Sequence, residues 1–299
     1  MLFVTDTLSL LDTEIVVPVA RHLSADALIR LSQTCRFSRT QLASFALEAV
    51  WAQRLADDFG PRACALPESK EALAAGAGAR GAYRAVSELR HAFDKAVTVI
   101  RGDICEVPQL HSVDAIVCPS VPNCGPYGPC ARAVHSRAGP RLWEHVSSEV
   151  LPAFGGSLDV GQAIIVPPFE FPGIRAIVHA VGPTIVDSDR RDLLWETYCA
   201  ALRALRYFPD APLEHVAIAS ISTGGNGMDP HEAAPIAMAA IRDAVRFGGL
   251  TKVYLVAWDD YVRAAFLEAK ESVLRRFSED PEVPEFGADD IFGSVMGWY

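Results

Sequence analysis

The sequence lacks a surplus of positive charge. Its 27 Lys and Arg face 37 Asp and Glu, for a net charge of −10. Neutralising phosphates takes a basic face, so nucleic acid is not the expected partner. A long apolar run is also missing. The longest stretch without a charged residue, Ala115–Ala131, contains Pro119, Pro122, Pro126 and Pro129 and cannot form one spanning helix, so no membrane partner is expected. Met1 to Ala20 has no Lys or Arg and carries Asp6, Asp12 and Glu14, which does not read as a secretory leader. The seven cysteines are odd in number and scattered. That usage points to reduced thiols and a cytoplasmic or nuclear setting.

What is present is enough for two globular modules. The chain has 299 residues, half of them hydrophobic, about twice a typical domain. The acid is concentrated: residues 278–299 hold six carboxylates (Glu279, Asp280, Glu282, Glu285, Asp289, Asp290) and no Lys or Arg. This end, with Met296-Gly297-Trp298-Tyr299 last, reads as a solvated, disordered acidic tail.

The first 60 residues read as short helices. Leu11, Ile15, Val19 and Leu23 keep a three-to-four spacing, with Pro18 a kink or a helix start. Ser24 and Asp26 offer a cap, and Leu28, Leu31 and Cys35 resume the stripe. Trp51, Leu55 and Phe59 then share one face before Gly60-Pro61. Residues 61–82, ending in an Ala/Gly run, are expected to be a connector. Tyr83, Val86, Leu89 and Phe93 restore a helical face, which we expect to pack between domains.

From Lys95 onward short β-branched runs alternate with helical ones. Strands are expected at Ala96–Ile100, Ala115–Val117, Ala163–Val166, Ile174–His179, Val216–Ser220 and Val253–Ala257. Helices are expected near 129–138, 140–152, 190–207, 231–247 and 260–276. The strands are continuous apolar runs, as a sheet covered on both faces requires, so the fold class is layered α/β. Two glycine-rich loops leave strands and open helices: residues 122–129 and 222–227. Backbone amides at such places favour anions, which suggests a phosphate-bearing ligand. Neither loop is a Walker motif or a Rossmann fingerprint.

The stretch from about 97 to 275 resembles a macro domain, the ADP-ribose-binding module. The resemblance is carried by Gly102-Asp103-Ile104, Val113-Asp114-Ala115-Ile116-Val117, Ala133-Val134-His135, Ala138-Gly139, Gly161-Gln162-Ala163, His179-Ala180-Val181-Gly182-Pro183, and Ile221-Ser222-Thr223-Gly224 with Gly227. It implies a three-layer α/β/α fold with a mixed sheet over 95–277. Residues 8–60 resemble an F-box through Ile15, Leu23, Leu28, Leu31-Ser32, Cys35, Trp51, Leu55 and Phe59, although Leu10-Leu11 replace the usual Leu-Pro opening. That second resemblance implies a small all-α domain over 1–60, joined by residues 61–94, and a Skp-type adaptor of a cullin ubiquitin ligase as partner. Its alternative is a helical extension packed on the next domain.

The macro resemblance implies a ligand set. Asp103 would accept the exocyclic amine of adenine, and the Ile104 amide would donate to a ring nitrogen. Trp258 would stack on the base. Ser222, Thr223, Gly224, Gly225, Asn226 and Gly227 would wrap the diphosphate, with Gly125, Tyr127 and Gly128 on the first loop. Asn226 stands where the family usually has an aromatic on the terminal ribose. Hydrolytic members carry Asn-Ala-Ala-Asn where this chain has Cys118-Pro119-Ser120-Val121, and a catalytic Asp of one class falls on Ala131. The expected function is binding of ADP-ribose or ADP-ribosylated protein, with no cofactor. An ADP-ribosyl hydrolase, an ADP-ribose-phosphate phosphatase and a macro fold used only for protein contacts are the alternatives. Cys118, Cys124 and Cys130 admit a zinc reading, which lacks a histidine in register, and a nucleophile reading with His135 as base. Against both stands the reading as buried inert thiols, and no metal is expected. His135 and His179 read as core or supporting groups.

Overall fold

The computed structural model describes residues 22–24, 27–28, 45–209 and 211–279. They form two compact units: the described residues up to Arg90 with Arg275–Glu279, and His91–Leu274. Among the described residues no helix is long and apolar enough to cross a membrane.

In the first unit, helix α1 (Phe45–Phe59) buries Trp51, Leu55 and Phe59, as their four-residue spacing predicts. Gly60, at φ +100°, ends it and donates its N–H to Ala56 at 2.8 Å. The Ser24 hydroxyl accepts the Ala27 amide at 3.2 Å, the cap expected there. Most of the F-box-like region, residues 1–60, lies outside the described residues, as does the acidic tail beyond Glu279.

The expected connector is instead helical. Residues 67–74 form α2 (Pro67–Ala74), after a 3-10 turn at Ala63–Ala65. Alanine has the highest helix propensity, and Pro67 at the first helical position costs no hydrogen bond. Gly76, at φ +75°, closes the helix: its N–H reaches Leu73 O at 3.0 Å and that of Ala77 reaches Ala72 O at 2.9 Å. The Glu48 carboxylate caps the next helix, α3 (Gly78–Ala96), through the Ala79 amide. Tyr83 on α3 belongs to the first unit's own core rather than to an interdomain layer. Its ring lies 5.2 Å from that of Trp51 and 5.1 Å from that of Phe59, and its hydroxyl donates to Asp58 at 2.7 Å. Phe93 is buried within the second unit.

The second unit is a six-stranded mixed sheet. The strands are β1 (Val97–Arg101), β2 (Ala115–Pro119), β3 (Ala163–Val166), β4 (Ala176–Ala180), β5 (His215–Ala219) and β6 (Lys252–Ala257), ordered β1-β6-β5-β2-β4-β3. All neighbours are parallel except β3 and β4. Every residue of β4 and the first four of β2 are buried, so both faces of the sheet are covered. Asp114 fixes the entry to β2. Its carboxylate accepts the amides of Glu214 and His215, and its own N–H reaches His215 O.

Helices cover the sheet among the described residues. They are α5 (Pro129–Ala138), after the short α4 (Val107–Leu110), then α6 (Pro140–His145), α7 (Arg190–Arg206), α8 (Pro230–Arg246) and α9 (Asp260–Arg275). The helix expected over 140–152 is broken into α6, a π turn at Val146–Val150 and a 3-10 turn at Leu151–Phe154. Pro152 explains the end: it has no N–H to continue an α-helical ladder.

Candidate functional site

The parallel strands β1, β6, β5 and β2 all point their carboxyl ends at one cavity of about 470 Å³. Open α/β sheets collect ligands at that edge. Gly102 and Asp103 follow β1, Ser120 and Val121 follow β2, Ser220 and Ile221 follow β5, and Trp258 follows β6; all line it. Of the residues named from sequence, Asp103, Ile104, Tyr127, Gly128, Ser222, Thr223, Gly224, Gly225, Asn226 and Trp258 also line it.

Gly125 and Gly227 do not. Their amides are spent inside their own turns, Gly125 N on Asn123 Oδ1 at 3.1 Å and Gly227 N on Gly224 O at 2.9 Å. Gly227 is required by its φ of +75°, a left-handed conformation that other residues resist.

The stretch 223–226 of this loop leaves its amides open. Those of Thr223, Gly224, Gly225 and Asn226 donate to no acceptor among the described residues. Successive free amides favour an anion. Hydrogen bonds at both ends hold the loop. The Asn226 side-chain amide donates to Gly182 O and Pro183 O, each at 2.9 Å, and the Asn226 backbone carbonyl accepts the Ile185 amide at 2.8 Å. At the loop's start, the buried Tyr198 hydroxyl accepts the Ile221 amide. Gly182 lies so close under the loop that a Cβ there would collide with the side chains of Ile221 and Ser222. Ser222 itself sits at φ +65°, and its buried hydroxyl has no partner among the described residues.

Asp103 is half-buried and its Oδ1 accepts the Cys105 amide at 2.9 Å, which fixes the carboxyl at the end of β1. Trp258 is 71 % exposed and Tyr127 57 %, two aromatic rings left open at the cavity. Asp259 caps α9 through the Val262 amide at 2.8 Å. Among the described residues the lining has two carboxylates, Asp103 and Asp259, and no Lys, Arg or His. The first turn of α5 adds Cys130 and Ala131 to the wall, after an N-cap, Gly128, that has no side chain to cap with.

Behind this wall lie the two buried histidines, expected from sequence as core or supporting groups. His179 is fully buried and its Nδ1 meets Ser120 Oγ at 2.8 Å. Burial, with His135 beside it, pushes its pKa down to about 3. His135 donates from Nε2 to Cys124 O at 3.0 Å, and burial lowers its pKa as well. Cys118 and Cys130 stand with their sulfurs 3.6 Å apart. No three His, Cys, Asp or Glu side chains converge as a metal would require, among the described residues. Sequence reasoning did not assign Ser120, Cys130, Gly182 or Asp259 to the cavity. Their signal was position alone, at the ends of strands or the start of a helix.

The comparisons with known proteins agree with this architecture. Residues 124–237 match the family model of the macro domain. A macro domain-containing protein of Caldanaerobacter subterraneus subsp. tengcongensis is 25 % identical over 179 residues, 59 % of this chain and 97 % of that one. The structure of the Oceanobacillus iheyensis macrodomain with ADP superposes at a TM-score of 0.55 and 25 % identity, covering 61 % of this chain and 94 % of the other. A Trypanosoma brucei macrodomain in complex with ADP-ribose gives 0.50 and 23 %, over 61 % and 71 % of the two chains, a likeness of fold. Residues 124–237 of the second unit thus match the macro domain, and the sheet and helices around them share the fold of solved macrodomains; the helical first unit lies outside the residues that the family model matches.

Proposed function

We propose that the macro domain of this chain binds ADP-ribose, free or attached to protein. The observation that carries the reading is the run of four open amides, Thr223 to Asn226, lining a cavity that also holds Asp103 and an exposed Trp258. Each part suits one part of the ligand. Trp258 offers a face for adenine stacking, Asp103 an acceptor for its amine, and the open amides an anion site for the diphosphate. Macrodomains of related fold have been solved with ADP and with ADP-ribose.

A thermal-shift series with ADP-ribose, ADP and adenosine tests this. The melting temperature should rise most with ADP-ribose, and less with ADP, because binding only the native state stabilises it by mass action. Equal, negligible shifts from all of them would oppose the reading.

The role of the N-terminal region as a docking segment for a Skp-type adaptor is a separate proposal, in a cytoplasmic or nuclear setting. It rests on the apolar spacing of residues 8–60. A pull-down that recovers no such adaptor, from a chain that still binds ADP-ribose, would end it.

A further inference from the structure

We propose that Cys130 and Cys118 form an oxidisable dithiol in the wall of the cavity, with a hydroperoxide as oxidant, Cys130 as attacking thiol and Cys118 as resolving thiol. The two sulfurs are in contact at 3.6 Å, and closing a disulfide requires an approach to about 2.05 Å. The two residues differ in access. Cys130 is partly buried and lines the cavity, whereas Cys118 is fully buried on β2. Cys130 also sits in the first turn of α5. Cys118 is held protonated, with its pKa well above the ordinary thiol range, by its hydrogen bond to Cys130 and by burial. An accessible attacking thiol beside a protected partner is the arrangement that oxidises reversibly.

The chemistry balances in two steps. The Cys130 thiolate attacks one oxygen of hydrogen peroxide and breaks the O–O bond, giving a sulfenic acid and, after protonation, one water. The Cys118 sulfur then attacks the Cys130 sulfur and expels hydroxide, which leaves as a second water with the Cys118 proton. Two thiols lose two electrons and two protons, and one peroxide is reduced. The product joins the carboxyl end of β2 to the first turn of α5. It thus closes a covalent ring around residues 119–129, the whole first loop of the cavity. The other described cysteines are placed differently: Cys64 is exposed in the first unit, while Cys105, Cys124 and Cys199 are buried.

The test uses the full chain, reduced and then treated with hydrogen peroxide. Free thiols are blocked in denaturant with one alkylating label, disulfides are reduced, and the released thiols take a second label. Trypsin leaves Cys105, Cys118, Cys124 and Cys130 on one peptide, Gly102–Arg132, so fragmentation of that peptide assigns each label. The second label is expected on Cys118 and Cys130, with the first label on Cys105 and Cys124. In Cys118→Ala, Cys130 should stop at the sulfenic acid and be captured by dimedone. In Cys130→Ser, Cys118 should keep the first label. Wild-type labelling decides the matter even if either variant fails to fold. First label on both Cys118 and Cys130 while Cys64 oxidises, or second label on Cys130 with Cys105, would overturn the proposal.

Discussion

Replacing Trp258 with alanine separates binding from folding. The indole is 71 % exposed and follows the last residue of β6, so most of its surface is already in water. Its removal should cost little stability, within about 0.5 kcal/mol for an exposed side chain outside the core. The strand itself is fixed by its register with β1 and β5, which Trp258 does not share. In the bound state the same ring would lie against adenine. Base stacking on an aromatic side chain contributes roughly 1–3 kcal/mol, so affinity for ADP-ribose should fall by about fivefold to about a hundredfold. A competition measurement of Kd, with a melting curve on the same sample, reads both quantities. Unchanged affinity with an unchanged melting temperature would show that the base does not sit on Trp258. A large drop in melting temperature would show that the ring is structural.

Asp103 should behave in a graded way. Asp103→Asn keeps an acceptor for the Cys105 amide but loses the charge, while Asp103→Ala loses both; a hydrogen bond to a charged group contributes about 1.5–3 kcal/mol, so the alanine variant should bind tenfold or more weakly and the asparagine variant fall between. Because the cavity lining holds no Lys, Arg or His, affinity measured at about 50 mM and about 500 mM salt should differ by less than about threefold, and a steep fall would implicate a cation outside the lining. His179 gives a pH signature, since its pKa lies near 3 in the native state against 6.5 for the free group. The unfolded chain takes a proton that the native one refuses, so this contribution is intact above about pH 6.5 and is lost at up to about 1.4 kcal/mol per pH unit down to about pH 3. Denaturant titrations of wild type and His179→Asn should converge as pH falls through that window, and parallel curves would refute the assignment. Finally, release of ADP-ribose from modified acidic side chains should be slower than for a hydrolytic relative by about 10² or more, because Val121 and Ala131 bring neither an amide nor a carboxylate to the wall; rapid turnover in a single-turnover assay would contradict this.

Much of the fold was legible where local and global preferences agree. β3 falls at its expected residues, and the other strands shift by no more than a few positions, because apolar β-branched runs between polar breaks leave little choice of element. Helix α5 starts at Pro129 and ends before Gly139, the expected punctuation. The connector is helical because alanine's helix propensity outweighs how little an Ala/Gly run has to pack. Within the site, Asp103, Trp258 and loop 222–226 are what the macro-domain resemblance implies, and each follows a strand and lines the cavity. Gly125 and Gly227 could not be separated from their neighbours, since a glycine used to turn and a glycine used to bare an amide look alike in sequence. The anchoring of Asn226 on Gly182 and Pro183, and the meeting of Cys118 with Cys130, depend on how β2, β4 and β5 come together and leave no local mark.

Calorimetric titration of the intact chain with ADP-ribose tests directly whether the cavity binds this ligand. Saturable binding at one site per chain is expected, weakened in Trp258→Ala and again when Asp103→Ala is added, while both variants melt cooperatively. A flat titration from a chain that is folded by its melting curve, or binding that survives the paired substitutions unchanged, would contradict it.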